Sequence, residues 1–181
     1  SNVSVSTKSE ASAAKLRAEL GVSAFSCENH SDANSATVAN ADVVLVGVKP
    51  GYVVEVLNEV AGSLKADALV ISVAAGITTA AMEAAVSNAV VRAMPNTPSV
   101  VGRGVTGIAK GSRASEADIA TATKIFESVG KVLVIDESQI DALSTISGSG
   151  PAYVFYLIEQ FTATAVSMGF TAEQAEVMVH H

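Results

Sequence analysis

The sequence predicts an α/β fold in which a doubly wound, mostly parallel sheet is followed by consecutive helices. Short apolar runs such as Val43–Val46 and Leu69–Val73 are typical of strands that are buried on both faces of a parallel sheet. Segments of helical periodicity separate these runs, so strands and helices alternate along the chain. Of the 181 residues, 49% are hydrophobic but only 4% are aromatic, so the core is built from Ala, Val, Ile and Leu.

The first elements are indicated by alternation and by capping residues. Residues 3–6 alternate like a strand. Ser9 can cap the helix that follows, and Gly21 supplies its stop. Asp32 can cap a short helix that runs to about Asn40.

The middle of the chain repeats the same strand and helix pattern. Helices are expected to begin near Val53, Thr78 and Ser115, and the third is expected to end at Gly130. The predicted strands lie at 43–46, 69–73, 90–92, 105–109 and 132–135.

The stretch GRGVTG at 102–107 has the spacing of a dinucleotide-binding loop. No strand runs directly into it, and the residues after Gly107 are typical of a strand. No helix N-terminus is therefore available there to hold a pyrophosphate. We predict a turn before an edge strand. The glycine fingerprint is then expected to precede Ser1, which leaves the first βα unit missing from these residues.

The alternating pattern ends after residue 146. The segment SGSGP at 147–151 leads into an apolar helix over Ala152–Met168, and Thr171 begins a capping box for another helix. We therefore predict two domains, 1–146 and 147–181. The last helix has no stop signal in the sequence, so both domains are expected to be incomplete.

Charge and composition argue against several classes of protein. The formal net charge of −7 is unfavourable for a nucleic-acid partner, which requires a clustered basic face. The single cysteine, Cys27, allows no internal disulfide, and the histidines His30, His180 and His181 form no metal-ligand pattern. No apolar run reaches about eighteen residues and nothing resembles a signal peptide. A cytoplasmic protein without a metal or a membrane partner is expected.

Two strand ends carry groups that suit a dinucleotide, which open α/β sheets bind at the carboxyl ends of their strands. The segment Ser6–Lys8 offers hydroxyls and a cation where a carboxylate would select NAD, so it favours the 2′-phosphate of NADP. An ordinary capped helix start is the alternative. Gly47 allows close approach of the backbone, and Lys49 leaves the buried strand at the same edge. The alternative is that Lys49 only lies where the strand reaches the protein surface.

Further candidates follow the next two strands and lie near the proposed boundary. Val73–Gly76 has small side chains against which a flat ring can lie, and Asn96 offers the donor and acceptor that suit a carboxamide. Asn96 in a proline-bracketed turn is the structural alternative. Glu137 and Asp141 are four residues apart and are expected to share a helix face.

Taken in order, these motifs resemble the pyrroline-5-carboxylate reductase family along essentially the whole chain. The resemblance rests on GVKP at 47–50, SVAAG at 72–76, MPNTP at 94–98 and SGSGPAY at 147–153. It implies a Rossmann-like domain that binds NADPH, with NADH possible, and a helical domain that forms a homodimer or a larger homo-oligomer. It also implies hydride transfer to the C=N bond of 1-pyrroline-5-carboxylate, which gives L-proline.

The resemblance also implies roles for individual residues. Glu137 corresponds to an acidic position at the substrate, and we predict a catalytic role beside the ring nitrogen. Alanine is common in the family where Gly47 stands. The N-terminal glycine fingerprint and a C-terminal SPGGTT segment are both absent from these residues. The implied cofactor contacts are Ser6, Thr7, Lys8, Asn34, Gly47, Val48, Lys49, Pro50, Val73, Ala74, Ala75 and Asn96.

Two other interpretations remain open at this point. One is a different NADP-dependent reductase with the architecture of the β-hydroxyacid dehydrogenases. Those enzymes place a lysine on the first long helix of the helical domain, whereas 151–168 contains none. The other is a non-catalytic module that binds a nucleotide or dimerises.

Overall fold

The computed structural model describes residues 2–181, in which seven strands form two sheets. In the first, β1 (Ser4–Thr7) pairs in parallel with β2 (Ser23–Ser26). The second has the order β3-β4-β5-β6-β7 and is parallel except where β6 runs antiparallel to β5. Its strands are β3 (Val43–Val46), β4 (Leu69–Ser72), β5 (Ala89–Met94), β6 (Gly104–Lys110) and β7 (Gly130–Val134).

Helices cover both faces of the five-stranded sheet, so the predicted doubly wound, mostly parallel architecture is confirmed. The α-helices are α1 (Glu10–Leu20), α2 (Ala33–Val38), α3 (Val53–Val60), α4 (Thr79–Ala85), α5 (Glu116–Glu127), α6 (Ile140–Leu143), α7 (Gly150–Ser167) and α8 (Ala172–His180). Three 3₁₀ turns, Pro50–Tyr52, Thr97–Val101 and Glu137–Gln139, and one π turn, Ser144–Gly148, connect them.

Two apolar clusters fill the spaces between the helices and this sheet. On one face, Val53, Leu57 and Val60 of α3 and Met82 of α4 pack against β3, β4 and β5. The other cluster joins α5 to the central strands and includes Ile119, Ala122, Phe126, Ile71, Val91 and Ile108. Burying aliphatic side chains on both faces explains why these strands appear as continuous apolar runs.

The predicted capping residues stand at the helix ends. Ser9 accepts the backbone N–H of Ser12, and Gly21 adopts the left-handed conformation at the end of α1. Ser115 and Thr171 each form a capping box at the start of α5 and α8. Asp32 precedes α2 as predicted, but its side chain makes no capping hydrogen bond.

Strand β2 is absent from the sequence-based prediction. Its residues, SAFS, are small and polar apart from Phe25, and only Ala24 and Ser26 are buried. The segment is a strand because it pairs in register with β1, from Ser4 with Ser23 to Thr7 with Ser26. Nothing in the local pattern reveals that pairing.

The GRGVTG stretch is a turn followed by a strand, as predicted. Gly102 ends a 3₁₀ turn with φ of 70°, and Gly104 begins β6. The expectation of an edge strand is wrong, because β6 lies between β5 and β7, and β7 occupies the edge. Gly107 lies beneath Leu143, where an added Cβ would be 2.8 Å from a Leu143 methyl carbon.

Beyond the sheet, α7 and α8 contact each other and leave many apolar side chains exposed. Phe155 and Tyr156 are 62% and 63% exposed. No helix within residues 2–181 combines the length and the hydropathy needed to cross a membrane.

A polar clamp holds the end of α4 to the turn that follows β6. The Arg113 guanidinium donates to the carbonyl oxygens of Glu83 at 3.0 Å, Val86 at 2.6 Å and Asn88 at 3.3 Å. In return, the Glu83 carboxylate accepts the Ser112 hydroxyl at 2.9 Å and the Arg113 N–H at 3.1 Å. Burial raises the pKa of Glu83, but hydrogen bonds from Ser112 and Arg113 outweigh it and lower the pKa overall.

We expect Glu83→Gln to destabilise the protein at pH 7 but not in acid. A carboxyl whose pKa is lowered by folding contributes stability above its unfolded pKa, about 4.3. That contribution disappears as the pH falls through the folded value. Urea unfolding of both proteins at pH 7, 5, 4 and 3 should therefore show a gap that closes toward low pH.

Glu19→Gln is the control for this prediction, because it removes one exposed carboxylate of α1. It should leave the unfolding free energy within about 0.5 kcal/mol of the wild-type value at pH 7. A Glu83→Gln gap that stayed constant from pH 7 to pH 3 would contradict a role for the ionised carboxylate.

Candidate functional site

Most of the predicted cofactor residues lie at one edge of the five-stranded sheet. Strands β3, β4 and β5 are mutually parallel, so the segments Gly47–Pro50 and Val73–Ala75 and the residue Asn96 follow neighbouring carboxyl ends. Gly47 to Pro50 are all exposed, whereas Ala74 is buried and Ala75 is exposed. The arrangement is an open ledge with small side chains, the place where open α/β sheets bind ligands.

The carboxyl end of β1 carries a second group of predicted residues. The Thr7 hydroxyl donates to the Ser9 carbonyl oxygen at 2.9 Å, so it shapes the turn into α1. Lys8 is exposed and, with Ser9, Cys27 and Glu28, lines a pocket of about 510 Å³. The pocket therefore combines an exposed cation with a helix N-terminus.

One acidic side chain, Glu28, lines the same pocket. The Glu28 carboxylate accepts the backbone N–H of Glu10 at 2.9 Å, so it already binds the N-terminus of α1. A hydrogen bond from Arg17 lowers the pKa of Glu10 and keeps this carboxyl ionised. The local charge is thus mixed rather than uniformly positive.

Asn34 lies on α2 and connects it to its neighbours. Its amide nitrogen donates to both carboxylate oxygens of Glu59 on α3, at 3.2 and 3.1 Å. Its amide oxygen accepts the Cys27 thiol at 3.5 Å. Asn34 therefore lies beside Cys27, one of the residues that line the Lys8 pocket.

Asn96 uses its side-chain amide to join the sheet to the helical segment. Its Nδ2 donates to the carbonyl oxygen of Ser147 at 2.8 Å, and its Oδ1 accepts the N–H of Val105 at 2.8 Å. A Cβ on Gly148 would lie 3.8 Å from Cε of Met94, so the π turn lies over the end of β5. Asn96 keeps one N–H and one lone pair for any further partner.

Glu137 belongs to a polar cluster around the buried side chain of Arg92. Its Oε1 accepts the backbone N–H of Thr79 at 2.6 Å, and its Oε2 accepts the Thr79 hydroxyl at 2.7 Å. The Arg92 Nη1 lies 3.6 Å from Glu137 Oε1, and Arg92 Nη2 donates to Asp141 Oδ1 at 2.8 Å. Glu137 lies in a 3₁₀ turn and Asp141 in α6, and the two carboxylates meet one guanidinium. We call Thr79, Arg92, Glu137 and Asp141 the Arg92 cluster.

Two family models match parts of the chain. Residues 137–181 match the family described as pyrroline-5-carboxylate reductase dimerisation. Residues 1–76 match the family described as NADP oxidoreductase, coenzyme F420-dependent. The first match begins at Glu137, ten residues before the boundary that the sequence predicts.

Curated relatives extend the similarity to nearly the whole chain. The pyrroline-5-carboxylate reductase of Corynebacterium melassecola is 39% identical over 180 residues, which is 97% of this chain and 64% of that protein. The chain is a relative of the pyrroline-5-carboxylate reductases. The enzyme of Escherichia coli K12 is 39% identical over 137 residues, 75% of this chain and 51% of that one. The chain therefore spans about half to two thirds of these reductases.

Solved structures of pyrroline-5-carboxylate reductases have the same fold. The enzyme from Coxiella burnetii aligns with a TM-score of 0.85 and 34% identity, over 98% of this chain and 65% of that one. The Plasmodium falciparum enzyme with NADP bound aligns with a TM-score of 0.82 and 25% identity, over 98% of this chain and 73% of that one. The Rossmann-like architecture and the helical region that follows it are thus shared with the reductases.

The structure adds residues that the comparison of motifs with the reductase family did not identify. Arg92, Thr79 and Glu28 all contact or border predicted site residues. The signal for Arg92 was present, because a charged residue inside the apolar run AVVRAM must find a buried partner. Glu28 gave no signal, because its contact with Glu10 depends on the pairing of β1 with β2.

Proposed function

We propose that this protein is a pyrroline-5-carboxylate reductase that transfers a hydride from NADPH to the C=N carbon of 1-pyrroline-5-carboxylate, giving L-proline. The observation that supports this most is the ordered ledge at the carboxyl ends of β3, β4 and β5. The motifs GVKP, SVAAG and MPNTP stand there side by side. The similarity to reductases over 97% of the chain supports the choice of substrate.

The residues present fit a phosphorylated dinucleotide. Lys8 is an exposed cation beside Ser9, the N-cap of α1, and among residues 2–181 it has no ion-pair partner. Hydroxyls, a cation and a helix N-terminus form the donor set that a 2′-phosphate requires. Asn34 is proposed to complete this part of the site. Glu28 is the one group in the pocket that opposes an anion.

The ledge would hold the other parts of NADPH, or of NADH in its place. Gly47, Val48, Lys49 and Pro50 are proposed to line the middle of the dinucleotide. Val73, Ala74, Ala75 and Asn96 would then lie toward the nicotinamide, where small side chains leave room for two stacked rings. When bound, NADPH supplies the hydride. The catalytic role of Glu137 beside the ring nitrogen stays a prediction.

A homodimer or larger homo-oligomer is proposed through the helical segment. The apolar side chains exposed along α7 include Phe155, Tyr156 and Phe161, each more than half exposed. Large apolar side chains exposed around a helix are typical of an interface between subunits. We keep the boundary between the dinucleotide-binding domain and this dimerisation domain at residue 147.

We propose the cytoplasm as the compartment, because the reaction consumes a reduced dinucleotide and Cys27 allows no internal disulfide.

The proposed function is tested by oxidation of NADPH, and of NADH in parallel, with pyrroline-5-carboxylate and the full-length protein. Turnover that depends on the imine supports the reductase. Turnover of a 3-hydroxy acid with NADP, without turnover of the imine, would instead assign the protein to the β-hydroxyacid dehydrogenase type. Binding of nucleotide without turnover of either substrate would indicate a non-catalytic module.

Lys8→Gln is expected to weaken the binding of NADPH about tenfold and to leave the binding of NADH within about twofold of wild type. The lysine can form a charge-assisted hydrogen bond only with the 2′-phosphate, and such bonds contribute about 1.5–3 kcal/mol. Dissociation constants from the fluorescence of the reduced nicotinamide measure both cofactors without turnover.

Glu28→Gln is the matched variant and should act in the opposite direction. It removes a negative charge from the pocket while keeping an acceptor for the Glu10 N–H, so NADPH should bind up to about fivefold more tightly. NADH should again change little. If Lys8→Gln weakened the binding of NADPH and NADH equally, Lys8 would not contact the 2′-phosphate.

A further inference from the structure

The contacts of Glu137 point toward the cofactor side of the site. Both carboxylate oxygens bind one residue, Thr79, through its N–H at 2.6 Å and its hydroxyl at 2.7 Å. Thr79 is 6% exposed, and it is the first residue of α4. Glu137 therefore holds the start of this helix together with the Thr78 cap, whose hydroxyl accepts the Ala81 N–H at 3.1 Å.

The beginning of α4 is also the end of the loop 73–78, which leaves β4 and contains the predicted cofactor residues Val73, Ala74 and Ala75. Within the described chain, Val73 donates its N–H to the Val46 carbonyl oxygen at 3.2 Å, and Ala74 and Ile77 pack in the apolar cluster with α3 and α4. The Ser72 hydroxyl accepts the Ala74 N–H at 3.2 Å, and Gly76 turns the backbone with φ of 73°. The exposed residues Ala75 and Gly76 thus lie between packed neighbours, and the position of Thr79 sets where the loop ends.

Arg92 connects those two ends. Its Cα pairs in register with that of Ser72, the last residue of β4, just before the loop begins. Its guanidinium, which is 4% exposed, reaches Glu137, which binds Thr79 where the loop finishes. The two ends of the loop 73–78 are therefore connected through the contacts of Ser72, Arg92, Glu137 and Thr79.

We propose that Glu137 is a positioning residue that sets the conformation of the loop 73–78 through Thr79, and thereby the affinity for NADPH. This inference rests on the proposed function, because it assumes that the loop lines the cofactor. It differs from the sequence-based role of Glu137, in which the carboxylate acts on the ring nitrogen of the substrate. In the structure both oxygens are already used, by Thr79 and by the guanidinium of Arg92.

A double-mutant cycle with Glu137→Gln and Thr79→Val separates the two roles. The dissociation constant of NADPH is measured by fluorescence titration, and kcat is measured at saturating NADPH and imine. Each single variant should raise the dissociation constant about tenfold, since each disrupts the bonds to a charged acceptor. The double variant should bind no more weakly than Glu137→Gln alone, and kcat should stay within about threefold of wild type.

Two further variants serve as controls. Thr79→Ser keeps both donors and should bind NADPH as the wild type does. Asp141→Asn alters the solvent-exposed carboxylate of the Arg92 cluster, and NADPH binding should stay within about twofold of wild type. If Glu137→Gln fails to fold, the comparison of Thr79→Val with Thr79→Ser still decides the matter.

Several results would overturn the inference. An unchanged dissociation constant in Thr79→Val is one, and additive effects on binding in the double variant are another. If Glu137→Gln lowered kcat by about two orders of magnitude or more, equally in both Thr79 backgrounds, Glu137 would belong at the reacting atoms. A wild-type protein that binds no NADPH overturns it as well. A wild-type protein that binds NADPH without reducing the imine contradicts the proposed reaction alone, and the binding cycle still tests the inference.

Discussion

Gly130→Ala is expected to destabilise the protein by about 3 kcal/mol or more. Gly130 begins β7 with φ of 154°, a conformation that residues with a Cβ rarely adopt. It pairs with Gly104 across the sheet, and an added Cβ would lie 2.6 Å from the Gly104 nitrogen. That neighbour is backbone, so β6 and β7 would have to separate. Urea unfolding at pH 7 gives the loss of free energy.

Gly62→Ala is the control for this variant. Gly62 is exposed in a turn after α3, has no atom within 4 Å of the position of a Cβ, and does not have a positive φ. Alanine should therefore be neutral there or stabilise by about 0.4–1 kcal/mol. A Gly130→Ala protein within about 1 kcal/mol of wild type would show that the strands can separate locally at little cost.

Steric demands also explain why a dinucleotide-loop spacing occurs in GRGVTG. Gly102 permits a positive φ, Gly104 leaves room for Ser99 of the preceding 3₁₀ turn, and Gly107 lies beneath Leu143. Each glycine thus has a steric reason that is unrelated to a phosphate. The turn could be predicted, because the residues that follow it have the pattern of a strand. The partner strands could not, because sheet order depends on residues far apart in the sequence.

The same division between local and distant contacts explains the rest of the prediction. The caps at Ser9, Ser115 and Thr171 act within three residues, so the sequence reveals them. Strand β2 depends on pairing with β1, and its small polar residues give no periodic signal of their own. Helix ends therefore follow from the local sequence more directly than the pairing of short strands does.

For the candidate site, the sequence indicated which residues share an edge but not what they already bind. Parallel strands bring Gly47, Val73 and Asn96 to one side, and this follows from topology alone. The partner of the Asn96 amide lies 51 residues away, and Thr79 lies 58 residues from Glu137. Such contacts become visible only in the folded chain. Asn96 and Glu137, which are both predicted to contact a ligand, thus also connect distant segments of the chain.

Arg92→Met is expected to cost about 3 kcal/mol. The Arg92 side chain extends from β5, the central strand, and is 4% exposed. It contacts two carboxylates. Methionine preserves much of the apolar stem but leaves Glu137, which is 29% exposed, without its cation. Urea unfolding at pH 7 measures the loss, and Asp141→Asn is the control. Because the Asp141 side chain is 82% exposed, that variant should cost at most about 1 kcal/mol.

The combination of Arg92→Met with Glu137→Gln tests whether unpaired charge causes the loss of stability. Arg92→Met leaves Glu137 without a cation, and Glu137→Gln leaves the more deeply buried Arg92 with only the exposed carboxylate of Asp141. The double variant removes both charges, so its loss of stability should be smaller than the sum of the single losses by at least about 1 kcal/mol. Strict additivity would mean that the 3.6 Å ion pair contributes nothing. The cluster would then stabilise the fold only through the hydrogen bonds to Thr79 and Asp141.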